Sequence, residues 1–305
     1  MNVGDFIIMD SAYKQICKTF PHTQKVHFPT HERITRVGIK RQRQISLNFL
    51  CGTNCLNSSM LFHRQWNIGM LNTLFMKDTV TLGVGWANYQ NNPDIYTSLL
   101  LRNILSKKHI HSVRDSYTEK LLRSTGVQNI LNTGCPTMWD LNNDHCTQIP
   151  SRKSKNVIFT LTDYRKDSIK DSIFIRALKK SYEDIYFWIQ GANDYAYLQS
   201  LGNLIQDIKI IPANLSDFDA ALSNTHSVDY AGTRLHAGIR AMQKFKRSII
   251  LSVDNRAEEK KKDFNLPVIS RDLSLEEYIH IFNGNMTTNI SLPLDNIQNW
   301  KNQFS

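Results

Sequence analysis

The stretch Asp229-Tyr230-Ala231-Gly232-Thr233-Arg234-Leu235-His236-Ala237-Gly238-Ile239-Arg240-Ala241-Met242 decides how this 305-residue chain folds. A strand at 227–230 runs into Gly232, whose freedom permits a sharp turn, and Thr233 carries the side chain of a helix N-cap. Leu235, Ile239 and Met242 then recur at i, i+4, i+7, the apolar stripe of a helix. Strand, tight turn and helix in succession form the repeating unit of α/β folds. Arg234 and His236 fall in the first helical turn, where unpaired N–H groups and the dipole favour anions over cations. Two basic side chains there have two readings. One is a bound negative ligand; the other is an Arg paired with a neighbouring carboxylate and a His satisfied by a carbonyl.

The same alternation extends outward along the chain. Short apolar or β-branched runs read as strands at 45–50, 80–84, 109–113, 128–131, 157–161, 185–189, 208–211, 227–230 and 248–253. Several are almost continuously apolar, as parallel strands covered on both faces are. Between them, 167–183 places Ile169, Ile173, Ala177 and Leu178 on one helical stripe. The segment 275–282 places Leu275, Tyr278, Ile279 and Phe282 at i, i+3, i+4, i+7. Ser274 and Glu277 form a capping box before it, with Leu273 placed to staple onto Tyr278. The polar stretch 142–155, with Pro150 and a basic cluster, interrupts the pattern. The expected fold is α/β, with two Rossmann-like domains facing across a ligand cleft. Their bounds are 1–145 and 146–285, followed by a tail, 286–305, whose short helix packs back on the first half.

Composition bounds the function. Apolar residues make up 41 % of the chain, enough for a sizeable core and too many for general disorder. Thirty-seven Lys and Arg against 27 Asp and Glu leave a net charge of +10. That excess suits nucleic acid, an acidic membrane face, or a small substrate rich in phosphate or carboxylate. No window nears the ~18–20 apolar residues of a membrane-spanning helix. The start, Met1-Asn2-Val3-Gly4-Asp5, lacks the basic and apolar regions of a secretory signal. Cys17, Cys51, Cys55, Cys135 and Cys146 are odd in number and scattered, which fits a reducing cytoplasm better than a disulfide framework. Cys51-x-x-x-Cys55 has no second ligand pair, so no metal is expected. The basic runs 33–43, 152–155 and 258–262 are separate and read as solvated surface. They lack the interleaved aromatics of a nucleic-acid stripe, so no nucleic-acid partner is expected. Trp66, Trp86, Tyr89 and Trp188 have the rings to stack on sugars, but aromatics in strands and helices are core first.

Two further segments set chemistry at element ends. His109-Ile110-His111-Ser112-Val113 reads as a strand that delivers Arg114 at its C-terminal end, where doubly wound folds gather ligand groups. Asp115 or Ser116 caps the following helix, and an ion pair of Arg114 with Asp115 or Glu119 is the structural alternative. At the N-terminus, Asn2-Val3-Gly4-Asp5 precedes Phe6, Met9, Tyr13, Ile16 and Phe20, which share one helical face. Gly4 lets a ligand approach the backbone, and Asp5 also suits the helix dipole. Cys51-Gly52-Thr53-Asn54 and Gly83-Val84-Gly85 follow strands and are placed to line the same cleft. Neither completes a Walker loop or G-x-G-x-x-G.

Taken together, Asn2–Asp5, Ser112–Asp115 and Arg234–His236 resemble, in order and separation, three motifs of the polysaccharide pyruvyl transferase family: N-x-GD, S-x-RD and R-L-H. The helix after R-L-H, the strand at 248–253 and Asp254-Asn255-Arg256 extend the resemblance over roughly 2–285. It implies a GT-B-like fold and transfer of a pyruvyl group from phosphoenolpyruvate to a sugar, forming a pyruvate ketal and releasing phosphate. Carried over residue by residue, Arg114, Arg234, Leu235 and His236 form the donor site. Asn2, Gly4, Asp5, Gly52, Thr53, Asn54, Asp254 and Arg256 line the cleft or the acceptor side. Two features depart from the family. Only Met1 stands where a first strand precedes N-x-GD, and Cys51-Gly52-Thr53-Asn54 stands where a Gly-Gly-Gly run is common.

The chemistry follows from the donor. Bidentate Arg contacts match both phosphate and carboxylate, so Arg114 and Arg234 are expected to clamp it across the cleft. His236, with an ordinary pKa near ~6.5, is the expected general acid at enol C3, and Asp5 or Asp254 a base. No metal or other cofactor is required if the arginines stabilise the charge. The expected acceptor is a glycan or lipid-linked saccharide in the cytoplasm, with basic loops touching an anionic membrane face. A sugar-nucleotide glycosyltransferase and a non-catalytic glycan-binding protein are the alternatives.

Overall fold

Strands and helices alternate through the computed structural model, which describes residues 2–76, 78–225 and 227–305. The first half comprises α1 (Gly4–Thr19), α2 (Arg36–Gln42), β1 (Asn48–Cys51), β2 (Thr79–Leu82), α3 (Ile95–Ile104), β3 (His111–Val113), α4 (Ser116–Ser124) and β4 (Ile130–Asn132). After α5 (Asn143–Cys146) come β5 (Asn156–Thr160), α6 (Ser168–Ser181), β6 (Ile185–Trp188), α7 (Asp194–Gln199), β7 (Lys209–Ile211) and α8 (Leu215–Asn224). The chain closes with β8 (Val228–Gly232), α9 (Leu235–Gln243), β9 (Ser248–Ser252), α10 (Asn255–Phe264), β10 (Val268–Ser270), α11 (Leu275–Asn283) and α12 (Leu294–Asn302). They divide into two units, Met1–Ile7 with Asp140–Ser291 and Ile8–Trp139 with Leu292–Ser305.

The first of these, the sheet unit, holds six parallel strands in the order β10-β9-β8-β5-β6-β7. Numbered from β5, that is 3-2-1-4-5-6 read from the β7 edge, the doubly wound order. The order reverses between β5 and β8, which pair from Asn156↔Val228 to Thr160↔Gly232. Val157, Phe159, Phe187, Ala231, Ile249 and Leu251 are buried along the strands, and Phe174, Leu178, Tyr278 and Phe282 of α6 and α11 cover one face. The capping box read at Ser274 and Glu277 is formed, with Ser274 N–H donating to Glu277 Oε2 (2.7 Å) and Glu277 N–H to Ser274 Oγ (3.2 Å).

The second, the ladder unit, carries two parallel pairs, β1-β2 and β3-β4, in place of one long sheet. The pairs are neighbours: Gly83 N–H donates to Ser112 O and Arg114 N–H to Val84 O, both at 3.0 Å. One core cluster gathers Leu56, Trp66, Trp86, Leu100, Val113 and Leu122. Another gathers Ala12, Val80, Leu82, Trp139, Ile297 and Trp300, the last two from α12.

Several sequence expectations need correcting. Phe6, Met9, Tyr13 and Ile16 lie on α1, with Phe20 just past its end, but theirs is not the face that packing buries. Packing selects Ile7, Ile8, Ser11, Ala12 and Gln15 instead, while Phe6, Met9 and Tyr13 stay exposed. Met9, Tyr13, Ile16 and Phe20 wall a cavity of about 1180 Å³ against β1. Thr233 does not cap α9: Arg234 is the N-cap residue, and Thr233 Oγ1 is paired with Thr162 Oγ1 at 2.8 Å. The run 258–262 is not all solvated, since Glu259 and Lys260 are buried in α10. Strand β10 was not expected at all. Trp66, Trp86 and Trp188 are core residues, whereas Tyr89 is exposed.

Candidate functional site

The sequence-predicted residues fall into two clusters, one in each unit, both at the C-terminal ends of parallel strands. In the sheet unit the centre is Arg234, immediately after β8 and beside the end of β5, at the reversal of strand order where doubly wound folds bind ligands. Its backbone is fixed on both sides. Arg234 N–H donates to Thr160 Oγ1 (3.3 Å), and the Tyr230 hydroxyl donates to Arg234 O (2.8 Å). Burial pushes that Tyr230 phenol up from its ordinary pKa, so it remains a donor.

The Arg234 side chain is 4 % exposed and bound along one edge. Its Nε donates to Leu161 O and Asp194 Oδ2, each at 3.1 Å. Its Nη2 donates to Asp163 Oδ1 at 3.0 Å and to Asp194 Oδ1. The guanidinium also stacks over Tyr164, 5.2 Å from the ring centroid. Asp194 is itself oriented by Gly191 N–H (2.6 Å) and Asp163 N–H (3.1 Å). Gly191 is required here, because a Cβ at that position would lie 2.2 Å from Arg234 Nη2 and 2.9 Å from Asp194 Oδ1. The carboxylate-paired reading of Arg234 thus describes its resting contacts, through two partners that the sequence reading did not name.

Asn2 and Gly4 join the same cluster. Asn2 forms a bridge with Gly191, and Val3 N–H donates to Gln190 O at 2.9 Å. Asn2 Oδ1 accepts from Gly4 N–H (3.0 Å) and from Gln190 Nε2 (2.8 Å). Gln190 is buried, and its Oε1 has no hydrogen-bond partner among the described residues. Asp5 follows in the first turn of α1, half-buried. Leu235 and His236 are buried in the first turn of α9. Asp254 caps α10 by accepting from Arg256 N–H (3.0 Å) and holds Arg256 Nε at 2.9 and 3.0 Å. Arg256 shares the Tyr164 ring and hydroxyl, which links this pair to Arg234.

In the ladder unit, Arg114 leaves β3 1 % exposed, its Nε 3.2 Å from Asp115 Oδ2. Asp115 also caps α4, accepting from Thr118 N–H at 2.7 Å. The guanidinium lies against Gly85, where a Cβ would come 2.0 Å from Arg114 Nε and 2.6 Å from Nη2. Gly52 and Thr53 turn the chain after β1 with φ of 52° and 58°, and Gly85 N–H donates to Thr53 O (2.9 Å). Asn54 Nδ2 donates to Ala87 O (3.2 Å), while its buried Oδ1 has no partner among the described residues. Gly52, Thr53, Asn54, Gly85 and Arg114 are thus one neighbourhood. Burial pushes the nearby Cys51 and Cys55 thiols up to about 12, so both are protonated at neutral pH.

Asp163, Tyr164, Gln190, Gly191 and Asp194 were missed by the sequence reading. The available signal was Gln190-Gly191-Ala192-Asn193-Asp194, one residue beyond strand β6, a Gly-containing turn that ends in an acid at a helix start. A protein-family model described as polysaccharide pyruvyl transferase matches residues 2–255. The match takes in both clusters except Arg256, which lies one residue beyond it. No curated protein matches the chain, and no solved structure does.

Proposed function

The chain belongs to the polysaccharide pyruvyl transferase family, and from that premise we propose that it transfers a pyruvyl group from phosphoenolpyruvate to a glycan or lipid-linked saccharide, forming a ketal. The observation that carries the residue assignment is the assembly of the N-terminal Asn2–Gly4 turn and the Arg234–His236 helix start into one hydrogen-bonded cluster through Gln190, Gly191 and Asp194.

Asp163 and Asp194 occupy Nε and Nη2 of Arg234, so Nη1 is the edge we assign to the anionic donor. Arg114 is the second donor-binding guanidinium, held against Gly85 so that little side-chain entropy is lost on binding. His236 donates a proton to C3 of the enol, which becomes a methyl group and leaves positive charge at C2. A sugar hydroxyl adds to C2 and gives its proton to a base, for which Asp5 and Asp254 are the candidates. The C2–O bond to phosphate then breaks, its electron pair leaving with phosphate, which takes up the proton held by the base. A second hydroxyl closes the ketal, and its proton restores His236. The arginines stabilise the charge that develops on the departing phosphate.

Phosphate release from phosphoenolpyruvate in the presence of candidate glycans tests this, with His236→Ala and Arg234→Ala beside wild type. Retained turnover in either variant removes that residue from its role. Thermal protection by phosphoenolpyruvate is expected; protection by a nucleoside diphosphate instead would favour a sugar-nucleotide transferase.

A further inference from the structure

One unit carries the whole net charge of the chain. The ladder unit, residues 8–139 with 292–305, has 17 Lys and Arg against 7 Asp and Glu, whereas residues 1–7 with 140–291 have 20 of each. Within the ladder unit the cations concentrate on α2 and its flanks. Arg33, Arg36, Lys40, Arg41 and Arg43 are all exposed, and no acid lies between them.

The same region projects large apolar side chains into water. Val37 of α2 is 63 % exposed, Phe62 77 %, Leu71 78 %, Leu74 72 % and Ile95 of α3 81 %. These segments are bound side by side. Asn67 N–H donates to Thr30 O (2.7 Å), and His31 Nδ1 lies 2.6 Å from Gln65 O. The 3-10 turn Met70–Leu74 packs on α3, where Tyr96 Oη lies beside Gly69. Ile34, Phe75 and Tyr96 anchor the three segments in one core cluster, so their exposed neighbours are held in place. Several large apolar side chains exposed in one region, rather than singly, mark an interaction site.

Charge selects the occupant. A second copy docked face to face would set five cations against their own counterparts, which is repulsive. Single-stranded nucleic acid is gripped by stacking rings, and four of the five projecting side chains are aliphatic. A surface that combines exposed Leu and Ile with Lys and Arg suits the headgroup boundary of an anionic bilayer. We propose that this face of the ladder unit docks on an anionic membrane, with Leu71, Leu74 and Ile95 entering the acyl boundary and the basic α2 region meeting lipid phosphates. The inference goes beyond the catalytic reading and stands without it.

The test is co-sedimentation of the full chain with phosphatidylglycerol-containing vesicles and with pure phosphatidylcholine vesicles, at low and high salt. Binding to the anionic vesicles alone, weakened by salt, is expected. Arg36→Gln/Lys40→Gln should weaken it by about tenfold or more, since each cation near an anionic surface adds roughly 1 kcal/mol. Leu71→Gln/Leu74→Gln should weaken it by a similar factor through lost apolar burial. Both variants change exposed side chains, and an unaltered melting temperature confirms that they fold. Failure to bind anionic vesicles would overturn the proposal, as would binding that Leu71→Gln/Leu74→Gln leaves unchanged. A wild-type dimer in solution that the same variant dissociates would assign the face to a second copy instead. None of these outcomes depends on turnover, so they leave the pyruvyl-transfer reading to its own assay.

Discussion

The Arg234 guanidinium meets the Asp194 carboxylate with neither side chain more than 4 % exposed, and Asp194 fully buried. Removing water from both charges is costly, and their attraction and hydrogen bonds offset it only while both are present. Truncating either should therefore cost about 3–5 kcal/mol of stability by leaving one charge buried alone. The doubly substituted chain, Arg234→Ala/Asp194→Ala, should lose much less than the two singles combined. Urea midpoints for the four chains measure this. Additive losses would mean that the pair is not coupled.

Asp194 should also matter to turnover without touching substrate. In Asp194→Asn only one of the Gly191 and Asp163 amides retains an oxygen acceptor, since they bond different carboxylate oxygens, and the charge that orients Arg234 is gone. Misplacement of a positioning group by about 1 Å costs on the order of 10²-fold in rate. The expected result is a loss of that order in kcat/KM for phosphoenolpyruvate, with a melting temperature closer to wild type than that of Asp194→Ala. A full-rate Asp194→Asn would confine Asp194 to stability.

Strand positions were legible from sequence because buried parallel strands are short apolar runs. The run read at 157–161 is observed at Asn156–Thr160, and that at 248–253 at Ser248–Ser252. Strand β10 escaped because Pro267 and Ser270 leave Val268 and Ile269 as its whole apolar run, too short to carry a pattern. Which face of α1 packs is not legible locally, because two apolar sets compete on one helix. The set chosen by packing, around Ile7, Ile8 and Ala12, is smaller than the one left facing the cavity. Arg234 and His236 stood out as cations where the dipole disfavours them. The carboxylates that resolve the conflict lie 40 and 71 residues away in the chain, beyond the reach of local periodicity.

His111 supplies a pH dependence. It has no exposed surface in β3; Nε2 donates to Ser106 O (2.8 Å), and Nδ1 accepts from Thr81 N–H (3.4 Å), an arrangement that needs the neutral ring. Burial holds its pKa below the ordinary value of ~6.5, against the opposing pull of the Ser106 hydrogen bond. The unfolded chain takes up the proton first as pH falls. His111 therefore contributes full stability above about pH 6.5, which is lost as pH drops through the lower folded pKa. Melting temperatures between pH 7.5 and 5 should fall less steeply for His111→Gln than for wild type. Parallel curves would exclude His111 as the source.

Gly85 and Arg114 provide the corresponding test in the ladder unit. A Cβ at residue 85 would overlap Arg114 Nε at 2.0 Å, and the guanidinium is too enclosed to step aside freely. Gly85→Ala must then either displace Arg114 or strain the turn, at about 1–3 kcal/mol. If Arg114 binds the donor, Gly85→Ala and Arg114→Lys should both raise KM for phosphoenolpyruvate. In Arg114→Lys the cause would be loss of the planar fork, with the charge retained. The discriminating readout is the effect on KM set against that on melting temperature. A purely structural Arg114, tied to Asp115 at the start of α4, would lower the melting temperature in both variants and leave KM where it was.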